Sequence, residues 1–181
     1  MTNARKLTHT AILIAIAICF QLLYLIGGFN MLPVAIYIVG SLVNLILFIA
    51  ISRVGLWALL VAIITPIISL FVGHQSFPIL IPIVMIGNCI IPITWWLLHD
   101  KLKLVSEFIT VIIASVIKAG FLWLVAPSVV KVFVLPAFNT AKAETVYATI
   151  SASMSIPQLV TALIGGVVAV IVLRLLPKAT T

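Results

Sequence analysis

Val111-Ile-Ile-Ala-Ser-Val-Ile-Lys118-Ala-Gly-Phe-Leu-Trp123 is the stretch that decides how this chain is solvated. Lys118 apart, it is apolar on every face and reads as helix dissolved in lipid. An ammonium in hydrocarbon costs at least ~2.5–3.5 kcal/mol on insertion scales, so such a group usually faces a partner, a cavity or a ligand. Lys118 is also the only charged side chain expected well inside an apolar stretch.

The rest of the chain has the same character. Of its 181 residues 65% are hydrophobic and 7% charged, and the mean hydropathy is +1.43. A soluble domain carries roughly 25% charged residues to solvate its surface. This chain has no such surface, so the fold class expected is an all-α integral membrane protein. Closed β-barrels also satisfy their backbone in lipid, but they need alternating apolar and polar residues. The net charge of +7 comes from cations at the ends of apolar runs. They form no basic stripe, which makes them topology signals rather than a nucleic-acid face. Cys19 and Cys89 fall inside apolar runs and read as small core residues, with no disulfide or metal spacing.

Six apolar stretches are long enough to cross the ~30 Å hydrocarbon core: Leu7–Ile26, Leu32–Ser52, Leu56–Val72, Pro78–Leu98, Leu104–Ala126 and Ile156–Leu176. The first follows Arg5-Lys6 and is too long for a signal peptide, so it reads as a retained helix. Short links make successive helices antiparallel neighbours in one six-helix bundle that occupies residues 1–181. The exception is Pro127–Ser155, which carries two prolines, Phe138-Asn-Thr-Ala and Glu144; it is expected to be a long loop, either a lid or an unstructured connection. With the N-terminus inside, Arg5, Lys6, Arg53, Lys101, Lys103, Arg174 and Lys178 lie on the cytoplasmic side, against Lys131 and Lys142 outside. That asymmetry predicts both termini cytoplasmic.

Intramembrane enzymes need paired carboxylates, His–Glu metal sets or an activated nucleophile. Here the acids are Asp100, Glu107 and Glu144, all at or beyond helix ends, and His9, His74 and His99 are scattered. No phosphate-binding glycine loop is present, so the chain cannot hydrolyse ATP alone. The expectation is no catalysis, no metal and no cofactor.

Polar residues within the apolar stretches suggest a binding pocket instead. Tyr37, Ser41 and Asn44 recur at spacings of four and three, Asn88 follows Gly87, Ser115 and Lys118 share a face, and Gln158 opens the last helix. His74 lies in a link on the same side. Together they are the candidate solute-binding set. Asn and Ser also bridge membrane helices, for about 0.6 kcal/mol on average, and that reading stands beside the pocket for Ser41, Asn44 and Asn88. Tyr37 fits an interface or packing aromatic equally well. With no acid placed to pair with Lys118, its counter-ion is expected to be an anionic group on a solute. Ala11 and Ala15, four apart, form a smooth strip where another helix can approach closely, inside this chain or on a partner.

The order of these motifs resembles the substrate-binding S components of energy-coupling factor transporters. The resemblance rests on Arg5-Lys6-Leu-Thr leading to Ala11-xxx-Ala15, and on Val54-Gly55-Leu-Trp and Thr65-Pro66. It continues through Pro78…Pro82…Gly87-Asn88, the fifth helix with Lys118, and Ser155-Ile-Pro-Gln158 through Gly165-Gly166. The resemblance implies a six-helix subunit in the bacterial cell membrane that captures a water-soluble vitamin from outside. It implies partners too: a transmembrane coupling subunit, met through Ala11 and Ala15, and two cytoplasmic ATPases that hydrolyse ATP on its behalf. An anionic solute at Lys118 makes pantothenate the first expectation, with cobalamin or a pyridoxine-like vitamin as alternatives. A stand-alone secondary transporter and a structural membrane protein are the competing classes. The first lacks an ion-coupling acid within the membrane, and the second has no use for Lys118.

Overall fold

Lipid offers the backbone no hydrogen bonds, so a chain this apolar must satisfy its amides within its own helices. A computed structural model describes residues 2–32, 34–73, 77–101, 106–137 and 140–175, and among them the only regular structure is helical. The helices are α1 (Asn3–Leu22), α2 (Ala35–Val54), α3 (Ala58–Phe71), α4 (Ile81–Trp95), α5 (Glu107–Val129), α6 (Thr140–Ser153) and α7 (Ile156–Leu175). Local chemistry sets several ends. The Thr2 hydroxyl accepts from the Arg5 amide to open α1, and the Ser106 hydroxyl accepts from the Ile109 amide to open α5. Glu107 in the first turn of α5 complements the helix dipole, and it also takes a 3.0 Å ion pair from Arg174 in the last turn of α7.

Five stretches are long and apolar enough to cross a membrane: Asn3–Leu25, Ala35–Phe71, Pro78–Asp100, Glu107–Val134 and Lys142–Leu175. This is the build of a multi-pass membrane protein. The second stretch holds both of the apolar runs expected over Leu32–Ser52 and Leu56–Val72. No loop separates them. Gly55, with φ 63° and ψ −143°, ends α2, and a single 3-10 turn leads into α3. A side chain at that backbone angle would be strained, so glycine is what permits so abrupt a junction.

The region Pro127–Ser155 is mostly helical rather than a loop. α5 runs through Pro127 to Val129 and continues as a π-type turn, Val130–Val134, and a 3-10 turn, Leu135–Ala137; α6 then covers Thr140–Ser153. Proline removes one backbone bond from a helix, a loss that membrane helices commonly absorb. Pro66 in α3 and Pro92 in α4 are accommodated in the same way.

The core has two parts. The larger packs Leu47, Phe48 and Ile51 of α2 with Val61 of α3, Trp95 of α4, Val111 of α5 and Val170 of α7. Phe48 and Trp95 meet edge to face, with ring centroids 5.7 Å apart. The smaller joins Leu80 and Ile83 to Leu122 and Ala126 of α5 and to Val130 just after it, with Ile150 of α6 and Met154 beyond that helix. The α2–α7 contact is the most extensive in the bundle. Gly165 and Gly166 explain it, because a Cβ on Gly165 would collide with the Ser41 carbonyl and the Leu45 amide, and one on Gly166 with Val111 and Phe48. α1 lies at the edge, with Leu7, Ile12 and Ile16 facing outward. Cys19 on the same helix is exposed rather than in the core, while Cys89 is half-buried.

Candidate functional site

All seven helices contribute to a partly enclosed cavity of about 130 Å³. Its polar lining comes from Gln21 of α1, Asn44 of α2, Thr65 and Ser69 of α3, Asn88 of α4 and Lys118 of α5. Ser153, Gln158 and Thr161 complete it from the α6–α7 side. Ile36, Val39, Val43, Val84 and Met154 supply its apolar wall. No aromatic side chain lines it, among the described residues.

Lys118 is the centre of a hydrogen-bonded chain. Its Nζ donates to Asn44 Oδ1 at 2.6 Å. The Asn44 amide in turn donates to the Gly40 carbonyl at 2.9 Å and to Thr161 Oγ1 at 3.3 Å, and the Thr161 hydroxyl donates to the Gln158 carbonyl at 3.2 Å. The amine is therefore held by α2, which is itself tied to α7. Asn44 is neutral, and of the three acids Glu107 is paired with Arg174 while Asp100 and Glu144 are exposed. No carboxylate meets Lys118. Its three N–H donors have one acceptor among the described residues.

Gln21 forms the opposite wall with α3. Its Nε2 donates to the Thr65 carbonyl at 2.9 Å, and its Oε1 has no partner. Thr65 and Ser69 turn their hydroxyls back onto the Val61 and Pro66 carbonyls, at 2.9 and 2.7 Å. Such back-bonding satisfies a hydroxyl in a membrane helix without recruiting another helix. Gln158 Nε2 reaches the Ser153 carbonyl at 3.4 Å and holds the α6–α7 corner against the cavity.

Of the expected site residues, Asn44, Asn88, Lys118 and Gln158 meet at this cavity. Tyr37 and Ser41 do not. They line a shallow apolar hollow between α2 and α7, with Ile164, Gly165 and Val168, on the other side of α2. Ser115 is fully buried beside the cavity rather than on its wall, and its hydroxyl has no partner. His74 lies outside the described residues. Ala11 and Ala15 are exposed on the outer side of α1. Gln21, Thr65, Ser69, Ser153 and Thr161 are cavity residues that the helix-face reading did not select.

The cavity wall presents mainly groups suited to binding, among the described residues. Three or more His, Cys, Asp or Glu side chains come together nowhere among the described residues. Among the described residues no hydroxyl on the cavity wall hydrogen-bonds to a basic side chain. What the cavity offers is one amine, several amides and hydroxyls, and an aliphatic wall. No protein-family model, no curated protein and no solved structure matches this chain.

Proposed function

We propose that the chain is the solute-capturing membrane subunit of an importer of the energy-coupling factor type, taking up a small water-soluble vitamin at the Lys118 cavity. The observation that carries this reading is a buried amine in a polar cavity with no carboxylate to neutralise it. A structural membrane protein has no reason to retain such a group, because a charge within the bilayer is costly wherever it has no function.

The finer topology belongs to the same reading. At ~1.5 Å per residue, the 37 residues of Ala35–Phe71 would extend about 55 Å as one straight helix, nearly twice the ~30 Å core. A reversal at Gly55 makes them two crossings and the bundle six. The cation asymmetry then puts both termini in the cytoplasm of a bacterial cell, with the cavity loading from outside. The 17% buried share of α1 is the lowest of the five stretches, which leaves its outer face, Ala11 and Ala15 included, open to a coupling subunit. ATP hydrolysis is assigned to two partner ATPases, since this sequence has no phosphate loop. Pantothenate, a small acid, fits the Lys118 chemistry. Cobalamin, a far larger macrocycle, is the poorer match to a cavity of about 130 Å³.

The test is mass spectrometry of solute released from purified, detergent-solubilised protein, together with equilibrium dialysis against labelled vitamins. A stoichiometric small acid is expected. A protein that releases no solute and binds no anionic, neutral or cationic vitamin would sink the proposal.

A further inference from the structure

Two amides on the cavity wall have hydrogen-bonding capacity that no described residue uses. Asn88 is 5% exposed, lies on the cavity wall and makes no side-chain hydrogen bond with any described residue. Gln21 is 3% exposed and uses its amide nitrogen on Thr65, while its Oε1 is unpartnered. Buried polar groups are nearly always paired, and the exceptions call for a specific explanation. A buried acceptor without a partner, such as Gln21 Oε1, is a standing cost.

The unmet groups sort by chemistry. Lys118 has spare donors only, and favours an anion. Asn88 has both a donor and an acceptor to fill, and Gln21 has an acceptor. A group that both donates and accepts, such as a hydroxyl or a secondary amide, satisfies the two amides together. Between the polar groups the wall is aliphatic, from Val39, Val43 and Val84. Among the described residues the wall has no aromatic side chain on which a flat ring would stack and no carboxylate to hold a cation.

Resting on the solute-capture reading above, we infer that the cavity has two subsites and takes a small aliphatic carboxylate that also carries a hydroxyl or amide. Lys118 holds the carboxylate, and Asn88 with Gln21 holds the hydroxyl or amide. Planar aromatic and cationic vitamins are excluded as its preferred solutes.

Equilibrium dialysis of the purified full-length protein tests this with five probes. Pantothenate has all the required groups, panthenol lacks the carboxylate and hexanoate lacks everything but the carboxylate. Pyridoxine is a neutral flat ring, and thiamine is a cation. Pantothenate should bind best, with panthenol and hexanoate at least about tenfold weaker, as expected when a buried charged or polar partner is removed. Asn88→Leu and Gln21→Leu should each weaken pantothenate about tenfold and leave hexanoate within about twofold. The ligand-free Tm of Asn88→Leu should hold or rise, because an unpaired amide has been removed. A fall in that Tm together with lost pantothenate binding would mark Asn88 as a packing residue and overturn the two-subsite assignment.

The outcomes separate this inference from the reading beneath it. Tighter binding of pyridoxine or thiamine than of pantothenate, lost on Asn88→Leu, overturns the inference and leaves a solute site standing. Equal affinity for hexanoate and pantothenate does the same. Failure of all five probes also overturns the inference; if mass spectrometry then finds no co-purified solute, the solute-capture reading falls with it.

Discussion

Lys118 Nζ sits 2.6 Å from Asn44 Oδ1, so the one charge-bearing side chain in the middle of α5 is anchored by a neutral amide on α2. The bond positions the amine without neutralising it. A carboxylate in Asn44's place would make a closed ion pair with little left for a solute. The amide keeps the amine fixed and available, and through Thr161 it couples the amine's position to α7.

Removing the amine should therefore affect binding more than folding. Lys118→Ala is expected to weaken an anionic solute such as pantothenate by at least about tenfold, or about 1.4 kcal/mol. Panthenol, which has no carboxylate, should lose far less. Equal losses for the two in dialysis would show that Lys118 shapes the cavity rather than meeting an anion.

Removing the anchor has the opposite signature. Asn44→Leu strands a buried amine and should cost about 2–3 kcal/mol, read as a lowered Tm in detergent. Lys118→Met in the same chain should recover most of that loss, because replacing both partners of a buried hydrogen bond with apolar groups is nearly neutral. The double-mutant cycle measures the coupling directly. If the two losses simply add, the Lys118–Asn44 bond carries no stability of its own.

Gly165 and Gly120 form a matched pair for testing the α2–α7 contact. A Cβ on Gly165 meets the backbone of Ser41 and Leu45, which cannot move aside as a side chain can, whereas one on Gly120 meets nothing within 4 Å. Gly165→Ala should destabilise by about 1–3 kcal/mol through overpacking. Gly120→Ala, within α5, should be neutral or stabilise by up to about 1 kcal/mol through helix propensity. Thermal unfolding of the two variants decides it, and equal behaviour would mean that α7 has room to withdraw from α2.

Cavity-lining positions were legible in the sequence where a residue type was out of place in its stretch. A lysine amid Val, Ile and Ala and an asparagine deep in an apolar stretch stand out without further context, and Lys118 and Asn88 line the cavity, as does Gln158 at the start of α7. Tyr37 and Ser41 went astray because a spacing of four and three fits two neighbouring faces of α2. The cavity face is Ile36, Gly40 and Val43 with Asn44 at its edge, mostly apolar and so silent in the sequence. Gly165 lets α7 cover the Ser41 side, a packing fact that no local pattern carries. Gln21 was not selected from the sequence. Its role depends on α3 bringing the Thr65 carbonyl to it. The helix within Pro127–Ser155 was hidden by prolines that stop helices in water but are carried inside them here.

Ala11 and Ala15 carry the last prediction. α1 belongs to the least buried of the five membrane-length stretches, and both alanines are exposed on it, where a partner helix could approach to backbone distance. They are remote from the cavity lining, whose single α1 residue is Gln21. Ala11→Trp or Ala15→Trp should therefore abolish uptake of labelled pantothenate in cells that express the coupling subunit and ATPases. Dialysis should show binding to the purified variants within about twofold of the unchanged protein, since no bond to a solute is lost. Normal uptake by both variants would remove α1 as the docking helix. Loss of binding along with uptake would mean that the alanines serve the internal packing of the bundle rather than an encounter with a partner.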